Sequence, residues 1–378
     1  MVARGPGQGN GSLMPPSRVK GEKGFSTLFS QSLGALSFNL VDLLAGFIFA
    51  TFFELFSRRA WSIVAYPCVL TTRGMVGGVF CGRLTSGLWV GTIEPRLRGN
   101  TQAFRSLYLS IMVLSSLSAL LMTCSVLLYG LPWGLSSQDV IDVVVSVVST
   151  MALAFLLVTP ITALLAFRSF ERGLDPDVIT YPVSSVVSDV LVTCCYTLVL
   201  ALLELKLVGR VAMYAICLAF LAACAIVVLR EARDEAFRKT LKEASASSAI
   251  VILISGLTGT LLNEINVAVG LGPEICTAYP ALISTVGDAG SIVASTATTK
   301  LWSGEIEARL SSVGEHKHEV IAAWAASALM FSAFALVATL PSSPASLPSL
   351  MATFLLANTM AIATTFLLAF SASVATFK

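Results

Sequence analysis

The chain has 378 residues, of which 56% are hydrophobic and 12% are charged, with a formal net charge of +2. Soluble globular proteins carry about 25% charged residues, and the mean hydropathy here is +0.83. This composition excludes an ordinary soluble domain, and we expect no nucleic-acid partner. It predicts an all-α, polytopic membrane protein that is embedded in the lipid bilayer.

The chain begins with a polar segment and continues with apolar ones. Residues 1–30 are rich in Gly, Pro and Ser and lack the apolar core of a signal peptide, so we expect a disordered cytoplasmic tail. A membrane-spanning helix needs about 20 mostly apolar residues. Ten segments meet this need, near 31–57, 62–92, 106–130, 140–168, 178–204, 209–230, 247–270, 278–303, 318–340 and 346–375.

The basic residues predict the orientation, because Lys and Arg stay on the cytoplasmic side. With the N-terminus inside, 18 of the 24 basic residues lie on the cytoplasmic side and four lie on the opposite side. Arg73 and Arg83 lie within the second span. We therefore expect a multi-pass protein of the cell membrane with a cytoplasmic N-terminus.

The second span is repeated in the eighth. Residues 66–91 read YPCVLTTRGMVGGVFCGRLTSGLWVG and residues 279–304 read YPALISTVGDAGSIVASTATTKLWSG, and they agree at nine of 26 positions at an offset of 213. Both are even-numbered spans and run in the same direction, so the repeats are parallel. The predicted units are a five-helix first repeat, a connecting helix with a charged cytoplasmic extension, and an incomplete four-helix second repeat, at 31–208, 209–246 and 247–378.

The second repeat stops where its fifth helix would begin. The tenth span ends LLAFSASVATFK where the fourth reads LLAFRSFERGLDPD, so Lys378 falls at the place of Asp175. We expect either a truncated sequence or a partner element that supplies the missing helix. Without such a partner, the chain would be a monomer that is a fused pseudo-dimer.

Two carboxylates interrupt apolar spans. Asp189 lies about 12 residues past the cytoplasmic mouth of the fifth span, where Asp175 sits, and the spacing of Ser185, Asp189 and Thr193 puts them on one helix face. Asp288 belongs to a second polar stripe, formed by Ser284, Asp288, Ser291, Ser295 and Thr298. A carboxylate at the bilayer centre costs about 2.5 to 3.5 kcal/mol, so it usually faces a cavity, a pore or a partner charge. Two other states would also stabilise an aspartate at this depth. It could form a structural ion pair, or it could be protonated and hydrogen-bonded to a neighbouring helix.

At these residues the chain resembles the MgtE-type magnesium transporters, in particular a two-repeat branch that includes related eukaryotic solute carriers. The motifs are YP, RG and RLTS in the second span, GLDPD, YP and SD in the fifth, and YPALISTVGDAGS with STATTKL in the eighth. The resemblance implies a divalent-cation pathway lined by the second and fifth helices of both copies, with Mg²⁺ as the transported ion. It places Asp189 at the family's pore aspartate and Asp288 at a polar position of the second helix.

Around these two carboxylates we expect Ser185 and Ser284 as outer contacts of the cation and Asp175 at the mouth. Two departures from the family pattern stand out. Met75 occupies the place of Asp288 in the first copy, so the lining cannot be symmetric. Arg73 beside it would oppose a cation unless it points away or pairs.

Other functions stay open at this point. Mg²⁺ suits a sparse site of one or two carboxylates, but manganese, cobalt or zinc could use the same groups. A proton- or sodium-coupled transporter of another substrate and a non-transporting membrane scaffold are the alternatives. We expect neither an enzyme nor a bound cofactor, because the sequence has no H-E-x-x-H, no G-x-S-x-G and no His within a span. We interpret the histidines of EHKHE (315–319) as part of a solvated charge cluster.

Overall fold

The computed structural model describes residues 25–173, 176–340 and 346–377, and these residues form helices and no strands. Short 3-10 turns cover Ser37–Leu40, Leu131–Trp133 and Leu310–His316. The α-helices are α1 (Phe25–Leu36), α2 (Asp42–Thr51), α3 (Phe53–Ser57), α4 (Ala60–Val90), α5 (Gln102–Gly130), α6 (Ser137–Glu171), α7 (Pro176–Glu204), α8 (Lys206–Glu231), α9 (Glu235–Val269), α10 (Pro273–Ser303), α11 (Lys317–Thr339) and α12 (Leu347–Phe377).

The predicted all-α, polytopic class is confirmed. Within the described ranges, nine helical segments are long and apolar enough to cross a membrane, with α1 and α2 counted as one. The remaining predicted span, the eighth, corresponds to α10, which has 31 residues and is more polar, so it is not among the nine. At about 1.5 Å per residue, it is still long enough to cross the hydrocarbon core.

The first predicted span is not one continuous helix. α1 ends at Leu36, a 3-10 turn follows at Ser37–Leu40, and α2 starts at Asp42. The Ser37 hydroxyl donates to the carbonyl of Gly34 at 2.7 Å, which is the local competition with helical hydrogen bonding expected of serine. A 3-10 stretch inside a helix often marks a functional position. Here it directs two polar side chains, Asn39 and Asp42, into the protein interior.

The prediction of a disordered tail is wrong for residues 25–30. Residues 1–24 lie outside the described residues, but residues 25–30 already belong to α1. The rings of Phe25 and Phe29 lie one helical turn apart and stack, with centroids 6.2 Å from each other. The aromatic residues of FSTLFS therefore extend the helix into what the Gly, Pro and Ser content suggested was tail.

The helices pack as two groups, and the helices that precede each group in sequence pack on the other group. We call this arrangement the exchange of first helices. α4 to α7 pack together, and α9 runs along α4 and α5 of that group. In the other group, α10, α11 and α12 pack together, and α1 lies on α11 while α2 lies on α10. α2 also contacts α7, so it stands between the two groups.

Two glycines allow these exchanged helices to approach closely. A Cβ atom at Gly46 of α2 would lie 1.7 Å from the carbonyl oxygen of Thr277 in α10. A Cβ atom at Gly259 of α9 would lie 2.2 Å from the carbonyl oxygen of Val64 in α4. Gly46 and Gly259 are 213 positions apart, as are Val64 and Thr277. Only glycine fits at either crossing.

α4 and α10 correspond along their whole length. Each has 31 residues, and their first residues are 213 positions apart, as are their last. Each ends at a left-handed glycine, Gly91 with φ 77° and Gly304 with φ 75°, which is the usual conformation just past a helix C-terminus. The sequence repeat therefore coincides with two helices of equal length and equal termination.

The charged extension predicted for the connecting helix belongs to the next helix instead. α8 ends at Glu231, and α9 runs unbroken from Glu235 to Val269. The Asp234 carboxylate caps α9 by accepting from the Phe237 backbone N–H at 2.9 Å, and this contact lowers the pKa of Asp234. The cap starts a new helix because it satisfies a backbone donor that would otherwise be free.

The interpretation of EHKHE as a solvated cluster is wrong for His316. Its side chain is fully buried, and its Nε2 lies 3.1 Å from the Thr296 hydroxyl of α10. Glu319 is also buried and pairs with Lys300 at 2.8 Å. These contacts join the start of α11 to α10, which the charge pattern of the segment alone did not reveal.

Candidate functional site

The structure brings the two predicted carboxylates together. Asp189 of α7 is 5% exposed, and its Oδ2 accepts a hydrogen bond from the Ser284 hydroxyl of α10 at 3.1 Å. Asp288 lies one helical turn after Ser284 on α10 and is close enough to Asp189 to interact with it electrostatically. Two carboxylates that are 99 positions apart in sequence therefore meet where α7 faces α10.

A third carboxylate, which the sequence reasoning missed, completes the group. Asp42 of α2 is 1% exposed, and it interacts with the Ser284 hydroxyl, with Asp288 and with Asp189. One of its oxygens, Oδ1, has no hydrogen-bond partner. We refer to Asp42, Asp189 and Asp288 as the carboxylate cluster. The signal was available, because Asp42 also interrupts an apolar span.

Asn39 holds Asp288 in place. Its Nδ2 donates to Asp288 Oδ2 at 3.0 Å and to the Thr285 hydroxyl at 3.1 Å. Asn39 belongs to the 3-10 turn that precedes α2, so the break in the first span supplies both an amide and a carboxylate to the cluster. An amide side chain of this kind fixes the orientation of the carboxylate while leaving its negative charge in place.

The chemistry of the cluster favours a hydrated divalent cation. All of its ligating atoms are oxygens, which Mg²⁺ and other hard cations prefer. Among the described residues, no three His, Cys, Asp or Glu side chains are gathered tightly enough to hold a metal ion directly. An ion at the centre would thus keep part of its water, as Mg²⁺ does in protein sites. Buried carboxylates repel one another, and one of them holds its proton, unless such a charge lies between them.

Two other predicted site residues lie elsewhere. Ser185 of α7 is half-buried and lines a small cavity that also contains Arg73, and no described hydrogen bond joins it to the carboxylate cluster. Asp175 lies outside the described residues.

Arg73 points away from the carboxylate cluster. Its Nη2 donates to the Thr159 hydroxyl of α6 at 3.0 Å, so its charge is directed between α4 and α6. Met75, the counterpart of Asp288, lies 3.5 Å from the Ser248 hydroxyl of α9. The concern that Arg73 would oppose a cation is therefore resolved by its orientation.

An aromatic cluster covers one side of the carboxylates. It comprises five rings, from Phe49, Phe56, Tyr66, Tyr196 and Tyr279. The rings of Tyr66 and Tyr279, which open the two copies of the sequence repeat, lie 6.4 Å apart, and Phe49 contacts both. The Tyr66 hydroxyl lies 3.1 Å from the Thr193 hydroxyl, one helical turn after Asp189. The cluster lies toward the starts of α4 and α10.

A row of small exposed residues continues along α10 on the other side of the carboxylate cluster. Toward the end of α10, a row of small residues at a spacing of four remains exposed, formed by Gly287, Ser291, Ser295 and Thr299. Small polar residues permit close helix packing in a membrane, but an exposed row next to buried carboxylates also offers a path for water. The carboxylates therefore have aromatic rings on one side, and an exposed row of small residues continues along α10 on the other.

Comparison with known proteins identifies the central part of the chain. A family described as MgtE: Divalent cation transporter matches residues 66–199, a stretch that begins at Tyr66 and includes Asp189. Searches of curated proteins and of solved structures gave no match. Residues 66–199 of this chain are therefore similar to the MgtE family of divalent cation transporters.

Proposed function

We propose that the whole chain transports divalent cations, with Mg²⁺ as the natural ion, through a pathway between its two groups of helices. The carboxylate cluster holds the hydrated ion, with Asp189 and Asp288 as principal ligands and Asp42 as a third. The observation that carries the proposal is the meeting of α7 and α10 at the Ser284–Asp189 hydrogen bond, with Asp42 beside it. An all-oxygen, negatively charged, buried site suits Mg²⁺ better than it suits softer ions.

We propose further that the chain holds two fused repeats joined by α8, and that the second repeat begins with α9 at Glu235 instead of at residue 247. Three observations support this. The two close glycine crossings, at Gly46 and Gly259, are related by the same offset of 213 as the sequence repeat. α4 and α10 have equal lengths, and Tyr66 and Tyr279 face each other. A single chain would then supply both halves of the pathway and work as a monomer.

The proposed repeats differ at the site itself. At the offset of 213, Met75 stands in the place of Asp288, and Ser255 stands in the place of Asp42. The pseudo-equivalent position between α4 and α9 therefore lacks both carboxylates. A pathway built this way binds its cation on one side of the pseudo-symmetry axis.

In this proposal the pathway opens toward the exposed row of small residues along the end of α10. With the N-terminus in the cytoplasm, as the basic residues predict, this end of α10 faces the cytoplasm. The aromatic cluster then closes the opposite side. Rearrangement of the rings of Phe49, Tyr66 and Tyr279 would open that side during transport.

Ion flux into liposomes containing the purified protein tests the proposal. We expect Mg²⁺ influx that other divalent cations inhibit, and we expect Asp189→Asn to abolish it. Asp142→Asn is a matched control, because Asp142 is an equally buried carboxylate that pairs with Arg210 outside the carboxylate cluster. Varying the pH and sodium gradients separates a coupled transporter from a passive one. Absence of any divalent flux, or equal flux through both variants, would contradict the proposal.

A further inference from the structure

Arg73 is a buried cation without an anionic partner. Its side chain is 2% exposed, and only Nη2 has a partner, the neutral hydroxyl of Thr159. Nε and Nη1 have no hydrogen-bond partner. Across the described ranges, no ion pair includes this residue. An unpaired charge in the interior costs several kcal/mol, so some group of opposite charge is expected beside it.

A small cavity adjoins Arg73 between α4 and α7. Its cavity volume is about 10 Å³, which leaves room for about one water-sized species. On the α7 side it is lined by three serines, Ser184, Ser185 and Ser188. On the α4 side it is kept open by Gly74 and Gly77, where an added Cβ atom would meet nothing within 4 Å. The cavity therefore combines a guanidinium with hydroxyl groups.

The unsatisfied groups around this cavity can all donate hydrogen bonds. The guanidinium only donates, and the Ser188 hydroxyl, which is 4% exposed, has no partner. A bound water could accept from both but would leave the positive charge uncompensated. A metal cation would be repelled. The small volume excludes a nucleotide or a lipid headgroup.

We propose that Arg73 and Ser188 bind one small monovalent anion in this cavity, namely a chloride ion. The ion accepts hydrogen bonds from the free guanidinium nitrogens and from the Ser188 hydroxyl, and it neutralises the buried charge. Ser188 precedes Asp189 on α7, so the anion lies on a neighbouring face of the helix that carries the cation ligand.

Thermal unfolding of the full chain in detergent tests this site independently of transport. Potassium chloride is compared with potassium gluconate at equal ionic strength. We expect chloride to raise the unfolding temperature of the wild-type chain in a saturable manner, and bromide to do the same. Arg73→Gln should abolish this rise. Arg83→Gln should keep it, because Arg83 lies on the same helix but has its own partner, Glu243 at 2.6 Å.

Ser188→Ala provides a second test should Arg73→Gln fail to fold. Losing one hydrogen bond to a charged group should raise the half-saturating chloride concentration about tenfold. Anomalous scattering from crystals soaked in bromide should place one peak beside Arg73. A wild-type unfolding temperature that does not depend on chloride would overturn the proposal. An equal chloride effect in wild type, Ser188→Ala and Arg83→Gln, with no bromide peak in the cavity, would also overturn it.

Discussion

Asp42→Asn should weaken cation binding by at least about 30-fold. Asp42 is 1% exposed, its Oδ1 has no hydrogen-bond partner, and its carboxylate interacts with both other members of the cluster. Asparagine keeps the shape of the side chain and removes the charge. At about 4 Å, the distance of a contact through one water, the attraction between a carboxylate and a divalent ion is about 2 kcal/mol even with the dielectric constant of water. This energy corresponds to about 30-fold in a dissociation constant, and a drier site would increase it.

Isothermal titration of the purified protein with Mg²⁺ measures this effect, with flux into liposomes as the second assay. Asp142→Asn is the control, since it removes a buried carboxylate from the Arg210 ion pair and leaves the carboxylate cluster intact. We expect its Mg²⁺ affinity to match the parent. An Asp42→Asn variant that folds and binds Mg²⁺ within about twofold of the parent would refute the assignment of Asp42 as a ligand.

Three further predictions follow from the described contacts. Asp189→Asn should abolish uptake while Asp288→Asn should only weaken it, because Asp288 is more exposed and water can replace it; equal flux through both variants in the liposome assay would contradict this. Gly46→Ala should destabilise the fold by about 1 to 3 kcal/mol or more, since its Cβ would lie 1.7 Å from a carbonyl of α10. Gly34→Ala, which meets no atom within 4 Å, should not lower the unfolding temperature, because alanine is a better helix former than glycine. Asp234→Ala should cost about 0.5 to 2 kcal/mol through loss of the α9 cap. Because folding lowers the pKa of Asp234, its stabilising contribution is present above the unfolded pKa and is lost as the pH falls through the folded pKa, so parent and variant should unfold at similar temperatures in acid.

The sequence predicted those parts of the molecule that depend on local patterns. Apolar length located the spans, and the repeat located α4 and α10 as equivalent helices. The position of Asp189 and Asp288 in apolar runs identified both as interior groups, because a carboxylate is too costly to leave in lipid. Their juxtaposition was expected from the family resemblance and is now described by the Ser284–Asp189 contact.

The contribution of the first span could not be predicted in the same way. Its apolar character suggested one plain helix, whereas the turn at Ser37–Leu40 breaks it and carries Asn39 to Asp288. The exchange of first helices between the two groups depends on contacts far apart in sequence, such as Gly46 with Thr277. No periodicity within one span records such a contact, so the proximity of Asp42 to Asp189 and Asp288 emerged only from tertiary packing.

The most direct test of the carboxylate cluster is an anomalous difference map from crystals of the full chain soaked in Mn²⁺, which shares the oxygen preference of Mg²⁺. We predict one strong peak enclosed by Asp42, Asp189 and Asp288, within about 5 Å of each carboxylate as expected for an ion that keeps part of its water. The peak should disappear in Asp189→Asn crystals and persist in Asp142→Asn crystals. A Mn²⁺ peak elsewhere in the membrane region, with none at these carboxylates, would contradict the proposed site.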